Sequence, residues 1–306
     1  MGIGSKEGGT PVAQILQQLF NGLALGSIYA LIALGYTMVY GIIAMINFAY
    51  GEIYMFGAFT GLYLAVQWKA NIYIAIVGAM LFTTVLGLVV ELVAYRPLRR
   101  TRDAGRLSAL ISAIGASIFL STLMVRIKGP STQAFPDLVV NRTFTLGGAS
   151  ISLYQILIVG VAALLMILLE LFIRYTRTGR AMRAVAQDAD AAALMGVNND
   201  LIVALTFAVG SALAGAGGVL AGIYFHAAQP YMGLMAGLKA FAAAVLGGIG
   251  SIPGAVVGGL IIGLAELLGV AAKLSQWKDA FAFAILIIVL LVKPSGLLGR
   301  ASIKKV

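Results

Sequence analysis

Long apolar stretches dominate the chain, and short polar or glycine-rich segments separate them. They cover roughly residues 12–45, 51–68, 72–94, 108–125, 152–173, 201–225, 236–272 and 279–292. A helix needs about 20 apolar residues to cross the hydrocarbon core of a bilayer, and most of these stretches reach that length. The pattern predicts an all-α, polytopic integral membrane protein with about eight to ten transmembrane helices, some of them interrupted or re-entrant.

Two of the stretches are too long for one simple span. Residues 12–45 include Gly35 and Gly41, so one crossing and two crossings are both compatible with this stretch. Residues 236–272 are interrupted by four glycines and a proline between positions 247 and 254. We expect two helices joined by a tight turn there, with a re-entrant hairpin as the alternative, because irregular backbone at membrane depth must be buried in protein or line a wet cavity.

Charge is scarce and unevenly placed. Charged residues make up 10% of the chain, against about 25% in soluble domains, and the formal net charge is +10. Most basic residues fall in three clusters, each beside an apolar stretch. The clusters are Arg96, Arg99, Arg100, Arg102 and Arg106; Arg174, Arg177, Arg180 and Arg183; and Lys293, Arg300, Lys304 and Lys305. This positive-inside pattern predicts that all three are cytoplasmic, that 127–151 is an external loop, and that the partner of the charge is the bilayer surface rather than a nucleic acid.

Several kinds of chemistry are missing from the sequence. The chain has no cysteine and one histidine, His226, which excludes thiolate ligands and multi-histidine metal sites. It has no GxxxxGK[ST] phosphate loop, and the glycine-rich LGGIGSIPGA lacks the GxGxxG spacing and follows an apolar helix. We therefore expect no catalytic residue, no metal and no cofactor in this chain.

A few side chains inside the apolar stretches are candidates for a translocation path. An ionisable group in a bilayer costs on the order of several kcal/mol unless it is paired or wet, so such groups tend to be functional. The candidates are Asn47, Glu52, Lys239, Phe241 and Glu266. For Glu52 the alternative is a structural interaction with the N-terminus of a helix that begins near Gly51.

Small residues recur every four positions in the stretch 201–225. They are Gly210, Ala214, Gly218 and Gly222, which share one face of a helix. Small faces allow helix backbones to approach closely in lipid. We expect packing against another helix of the chain, with a mobile or subunit-facing contact as the alternative.

The stretch 177–200, RTGRAMRAVAQDADAAALMGVNND, is the longest hydrophilic helix candidate between two spans. Its polar residues recur at three- and four-residue spacing, and Ala181, Val185, Ala192 and Met195 form a small apolar counterpart. We expect a helix-containing cytoplasmic loop. An ordinary interfacial helix and a docking helix for a cytoplasmic partner remain open at this point.

Five segments in this order resemble the LivH-type permease of bacterial ABC importers for branched-chain amino acids, and the likeness covers essentially residues 12–306. They are ALIALGYTMVYGIIAMINFAYGEIYMFGAF, ELVAYRPLRR, LISAIGASIFL, FIRYTRTGRAMRAVAQD and GLKAFAAAVLGGIGSIPGAVVGGLIIGLAE. The resemblance implies one permease domain over 1–306 in the bacterial inner membrane. It also implies a LivM-like second permease, two cytoplasmic ATPase subunits that bind ATP and magnesium, and a periplasmic protein that delivers leucine, isoleucine or valine.

The resemblance further implies that 177–200 is the coupling loop to the ATPases. The importer motif has Glu-Ala-Ala, three further residues and then Gly; here Asp190, Ala191, Ala192 and Gly196 hold that spacing. Asp replaces Glu, and no Ile-x-Leu-Pro follows Gly196. The predicted coupling residues are these four together with Arg180, Arg183 and Asp188.

Other transport functions remain alternatives. A permease of the same superfamily could carry urea, amides or other amino acids. A proton- or sodium-driven transporter would be expected to have an inverted repeat with paired carboxylates near mid-membrane, and no convincing repeat is present. A passive channel is a third alternative. Dependence of uptake on ATP and on a binding protein separates all three from the importer.

Overall fold

The computed structural model describes residues 11–43, 45, 47–100, 106–139, 142–146, 149–271 and 274–299. Nine of the twelve α-helices in this part have 15 or more residues. In chain order the helices are α1 (Pro11–Ile43), α2 (Tyr50–Gln67), α3 (Ile72–Val90), α4 (Arg96–Arg100), α5 (Arg106–Lys128), α6 (Leu153–Tyr175), α7 (Arg177–Gln187), α8 (Ala189–Leu194), α9 (Asn199–Phe225), α10 (Met232–Gly247), α11 (Ile252–Ala271) and α12 (Lys278–Val292). A π-helical turn, Glu91–Tyr95, joins α3 to α4, and a 3₁₀ turn, Ser275–Trp277, precedes α12.

Six helical stretches of the described chain are long and apolar enough to cross a membrane. They are Ile15–Ile43, Ile72–Arg99, Leu110–Lys128, Leu153–Tyr175, Asn199–Phe225 and Ile252–Val270. The all-α, polytopic prediction is confirmed. The other three long helices are α2, α10 and α12, with 18, 16 and 15 residues. A total of eight to ten crossings would require that some of these three shorter helices also cross the membrane, and this number stays a prediction.

The two apolar stretches that are too long for one simple span fold differently. The first is a single continuous helix, α1, which passes through Gly35 and Gly41 without a break. The second is two helices, α10 and α11, joined at 248–251, as the glycines and the proline predicted. Gly248 and Gly250 have φ of +104° and +89°, values that favour glycine because it has no Cβ. The chain after α12 closes this turn, since the Leu297 and Leu298 N–H groups donate to the Leu246 and Gly247 carbonyls at 2.8 and 2.9 Å.

The described members of the three basic clusters lie at one end of the bundle. An ion pair of 3.2 Å between Arg99 Nη2 and Asp200 Oδ1 brings α4 beside the start of α9. Met182 and Arg183 of α7 border a cavity with Gly250, next to the turn that the C-terminal segment closes. We call this the basic end. Arg102, Arg300, Lys304 and Lys305 lie outside the described residues.

The opposite end carries short strands, and we call it the strand end. Strands β1 (Gln133–Ala134) and β4 (Ala227–Ala228) pair antiparallel, with Gln133 opposite Ala228. Strands β2 (Thr143–Leu146) and β3 (Ala149–Ser152) form a second antiparallel pair, with Thr143 opposite Ser152. The predicted loop 127–151 therefore contains strands, although the polar sequence gave no strand pattern. A contact of 3.2 Å between His226 Nδ1 and Asp137 Oδ1 joins this stretch to the end of α9.

Helices α1, α9 and α11 form the centre of the bundle. Helix α1 runs antiparallel to α11, because Gly22 faces Leu264 whereas Gly41 faces Gly250. In contrast, α3, α5, α6 and α12 expose large apolar side chains, including Leu81, Ile118 and Leu291. Exposure of such side chains to lipid or to another apolar subunit is favourable, whereas their exposure to water would be unfavourable.

Candidate translocation and coupling sites

The structure joins two of the five path candidates in a buried ion cluster. Lys239 Nζ of α10 lies 2.9 Å from Glu266 Oε1 of α11 and 2.6 Å from Asp279 Oδ1 of α12. Tyr29 of α1 donates its hydroxyl to Glu266 Oε2 at 2.9 Å, and Lys278 Nζ lies 3.8 Å from Glu266 Oε1. Each charge therefore has an opposite charge nearby, as a low-dielectric environment requires. The cluster ties four helices together.

A cavity of about 380 Å³ adjoins this cluster. Its lining includes Tyr29, Lys239 and Asp279, and it extends to Ala227 of strand β4. The sequence had singled out Lys239 and Glu266 but had missed Asp279 and Tyr29. Asp279 stands at the start of an apolar stretch, where an acidic residue is also an ordinary first-turn residue, so its sequence position gave no specific signal.

Glu52 lies in a separate site on the first turn of α2. Its carboxylate is 2% exposed, and Oε1 accepts a hydrogen bond of 3.2 Å from Ser117 Oγ of α5. Oε2 has no hydrogen-bond partner among the described residues. A cavity of about 340 Å³ lies against Glu52, Ser117 and Ser121, and Met235 lines both this cavity and the one beside the ion cluster. Glu52 is thus a buried carboxylate that faces an open space.

The remaining two path candidates belong to the packed core between α1, α2 and α10. Asn47 is 1% exposed, and its Oδ1 accepts a hydrogen bond of 3.0 Å from the Tyr95 hydroxyl. Its carbonyl accepts from the Tyr50 N–H at 3.2 Å, which forms the turn into α2. Phe241 packs against Tyr36, with ring centroids 5.9 Å apart. Neither residue joins the ion cluster or lines the Glu52 cavity.

The small-residue face of α9 packs inside the chain, against α2. A Cβ at Gly218 would meet the carbonyl of Tyr54 and would lie 2.6 Å from the backbone nitrogen of Ala58. The Tyr50 hydroxyl donates to the Gly210 carbonyl, and Ala214 is fully buried. Gly222 at the far end lies under the Phe135 ring. All four positions therefore pack inside the chain, with close approach of helix backbones at Gly218 and an aromatic ring over Gly222.

The stretch 177–200 forms two short helices, α7 and α8, at the basic end. Asp188 caps α8, because its Oδ1 accepts from the N–H groups of Asp190 and Ala191 at 3.0 and 2.9 Å. Arg183 Nη1 donates to the Ile173 carbonyl at 2.7 Å and thereby caps the end of α6. Asn199 Nδ2 donates to the Ala189 carbonyl at 2.8 Å and joins α8 to α9. The loop is therefore hydrogen-bonded to both neighbouring long helices.

The predicted coupling residues fall into two groups. Arg180, Asp190 and Ala191 are exposed, whereas Ala192 is buried at 5% exposure. Gly196 has φ of +86° with open space around it, so its lack of a side chain serves the backbone turn that ends α8. Ala192 and Gly196 thus shape the loop itself, and the expected close approach of a partner is not needed to explain them.

The most exposed large apolar side chains of the loop are Leu194 and Met195. Leu194 is 89% exposed and Met195 is 85% exposed, next to each other at the tip of α8. Neither is among the predicted coupling residues, and the sequence pattern placed Met195 with Ala181, Val185 and Ala192 in the small apolar counterpart of the polar face. The usable signal was an apolar pair directly before a helix-ending glycine in an otherwise polar stretch.

A bundle of long apolar helices that encloses buried polar sites is typical of a multi-pass membrane transport protein. The chain belongs to the family described as branched-chain amino acid transport system / permease component, whose profile matches residues 18–290. The family resemblance drawn from the sequence is therefore confirmed. Within the described residues, no group of three His, Asp or Glu side chains is placed to hold a metal ion.

Individual relatives match along nearly their whole length. The chain is 49% identical to the high-affinity branched-chain amino acid transport system permease protein LivH of Escherichia coli (strain K12), over 95% of this chain and 97% of that protein. It is 47% identical to BraD of Pseudomonas aeruginosa, a protein of the same description, over 95% and 98%. The ribose import permease protein RbsC of Escherichia coli (strain K12) is 27% identical over 90% and 85%.

Among solved structures, PsaBC from Streptococcus pneumoniae in complex with Fab has a similar fold. The TM-score is 0.52 and the sequence identity is 13%, over 93% of this chain and 97% of that chain. At this level of identity the likeness concerns the fold alone.

Proposed function

We propose that the chain is the permease subunit of an ATP-driven importer for branched-chain amino acids, and that the loop 177–200 transmits the work of cytoplasmic ATPase subunits to the helices. The family profile and the relatives at 47–49% identity support the permease role and its substrate class. The observation that carries the coupling role is the pair Leu194 and Met195, which expose apolar surface on a polar loop that is hydrogen-bonded to α6 and α9.

The proposed orientation puts the basic end in the cytoplasm and the strand end outside. Lys and Arg are retained on the cytoplasmic side of inner-membrane proteins, and the described basic clusters share one end of this bundle. The loop 177–200 then faces the cytoplasm, and the stretch 127–151 faces the periplasm. A periplasmic binding protein would deliver substrate at the strand end, where both cavities are partly lined by residues close to β4.

The partners follow from what this chain does not contain. The sequence has no phosphate loop, so ATP and magnesium would be bound by two ATPase subunits and not by this chain. A LivM-like second permease would cover part of the exposed apolar surface on the outer helices. The chain itself is then a non-catalytic subunit, in which conformational change rather than bond breaking does the work.

The loop is built to pass a displacement on to the long helices. Leu194 and Met195 would enter an apolar groove of the ATPase, as exposed apolar anchors do at protein interfaces. The Arg183 contact fixes α7 to the end of α6, and the Asn199 contact fixes α8 to the start of α9. Movement of the tip would therefore move α6 and α9 together. Arg180 and Asp190 would add polar contacts around the apolar pair.

The first prediction tests this contact. Leu194→Asp and Met195→Asp should each leave the permease inserted, because both side chains are almost fully exposed. Each should reduce ATPase co-purification and ATP-driven leucine uptake at least about tenfold, since losing one apolar anchor costs about 1.5–3 kcal/mol. The measurements are the ATPase retained on the affinity-purified permease and leucine uptake in proteoliposomes with a binding protein.

The control is Phe144→Asp, which makes the same change at an exposed apolar residue of the strand end. It should retain the ATPase at the wild-type level. If both loop variants also retain it and transport normally, the tip of α8 is not the coupling contact. Uptake driven by an ion gradient without ATP would instead favour a secondary transporter.

A further inference from the structure

We propose that Glu52 binds the α-ammonium group of the translocated amino acid, in the cavity between α2, α5 and α10. The inference rests on the proposed function, because it assigns a group of that substrate to a site in the permease. The permease subunit would then recognise the amino acid substrate as well as provide its path through the membrane.

The geometry separates Glu52 from the other buried carboxylate. Glu266 accepts hydrogen bonds from Lys239 and Tyr29, so both of its oxygens are occupied. Glu52 has one hydrogen bond, from the neutral Ser117 hydroxyl, and makes no ion pair with a described cationic side chain. Its second oxygen, Oε2, has no partner in the described part of the chain, although the residue is 2% exposed. Glu52 does stand in the first turn of α2, as the helix-end alternative requires, but no described backbone N–H donates to its carboxylate.

A buried carboxylate that borders a cavity and has no ion-pair partner among the described residues favours the binding of a cationic ligand. Burial removes water from the carboxylate, and the resulting cost falls when an opposite charge arrives with a hydrogen-bond donor. A primary ammonium group carries one positive charge and three donors, and it is small enough to reach a single free oxygen. Every amino acid substrate carries this group, whereas a sugar or a carboxylic acid does not.

The rest of the cavity fits the remainder of an apolar amino acid. Its volume is about 340 Å³, and its walls include the apolar side chains of Phe48, Ile114 and Leu234. Tyr231 also lines it, and its hydroxyl is of the type that donates to a carboxylate. Ser121 lines the cavity as well, but its hydroxyl donates to the Ile118 carbonyl at 3.0 Å. The cavity therefore combines one anionic group, one hydroxyl donor and an apolar wall, which together match an α-amino acid with an aliphatic side chain.

The chain contains no cysteine, so a single introduced thiol can report the charge in this cavity. In Ser121→Cys, we expect the cationic reagent 2-aminoethyl methanethiosulfonate to react about tenfold faster than the anionic 2-sulfonatoethyl reagent, once both rates are normalised to Phe144→Cys. A buried negative charge attracts the first and repels the second. Adding Glu52→Gln should bring the normalised ratio to about one.

Transport provides the second test, in the assembled importer with a binding protein. We expect Glu52→Gln to lower leucine uptake about tenfold while ATPase stimulation by the loaded binding protein persists. Glu52→Asp, which keeps the charge on a shorter side chain, should be intermediate in uptake and should keep the reagent preference. Thr60→Ala is the matched control on the same helix, because the Thr60 hydroxyl donates to the Phe56 carbonyl at 2.8 Å and Thr60 does not line the cavity.

The outcomes separate the two proposals. A reagent ratio that Glu52→Gln does not change, or wild-type leucine uptake in that variant, overturns the role of Glu52 and leaves the importer function intact. Absence of ATP-dependent leucine uptake in the wild type overturns the proposed function whatever Glu52 does. If Glu52→Gln does not insert into the membrane, Glu52→Asp tests the proposal instead. Loss of the preference for the cationic reagent in Glu52→Asp would contradict the role of Glu52.

Discussion

At the scale of single residues, the buried charges differ in how fully they are paired. Lys239 lies between Glu266 and Asp279. Among the described residues, removing it would leave Glu266 with the partly exposed Lys278 at 3.8 Å and Asp279 without an ion-pair partner. No cationic side chain of the described residues pairs with Glu52. The first site is therefore expected to matter for stability, and the second for transport.

The Lys239 contacts lead to a stability prediction. Lys239→Met should lower the stability of the permease by about 3–5 kcal/mol, because it leaves buried carboxylates uncompensated. The double variant Lys239→Met with Glu266→Gln should recover part of that loss, since it removes one of the stranded charges. Both stability changes can be measured by thermal unfolding of the detergent-purified protein, with size-exclusion chromatography as the readout. Equal unfolding temperatures for wild type and Lys239→Met would contradict a structural role for the cluster.

At the scale of helices, α2 and α9 can approach closely because glycine, which has no side chain, lies at their contact. Gly218 of α9 lies against the backbone of Tyr54 and Ala58, so any side chain there has to push α2 away. Hydrogen-bonded helix backbone cannot yield as a flexible side chain can. Because α2 also carries Glu52, a displacement of this helix would disturb both packing and the Glu52 cavity.

Gly218→Leu is therefore expected to abolish assembly or transport, with a destabilisation of about 1–3 kcal/mol or more from overpacking. The matched control is Gly160→Leu on α6, where an added Cβ meets nothing within 4 Å. That variant should insert, assemble and transport as the wild type does. Yield of monodisperse permease and leucine uptake are the measurements. Normal transport by Gly218→Leu would show that α2 and α9 tolerate separation.

At the scale of the whole molecule, the proposed orientation depends on basic clusters that converge at one end of the bundle. Single cysteines can test it, because the natural chain has none. Ser131→Cys should react with an impermeant thiol reagent added to spheroplasts, and Asp190→Cys should react only after permeabilisation. Both positions are exposed, so burial does not confuse the comparison. Labelling in the opposite order would invert the orientation and remove the loop 177–200 from the cytoplasm.

The sequence by itself determined the membrane class, the helical architecture, the break between α10 and α11, and the family. These depend on composition, on runs of about 20 apolar residues and on local glycine and proline signals, all of which act over short distances along the chain. It also located the hydrophilic stretch 177–200, because such a stretch is conspicuous between apolar spans.

Only the tertiary structure decided which of the polar residues act together. Lys239 and Glu266 are 27 positions apart and Tyr29 is more than 200 positions away, and only the packing of four helices brings them into contact. The same packing left Glu52 without a cation among the described residues, continued α1 through Gly35 and Gly41, and buried Ala192 while Met195 remained exposed. Pairing and burial are properties of neighbours in space, and helices that are almost uniformly apolar carry no periodic signal to say which face meets which neighbour.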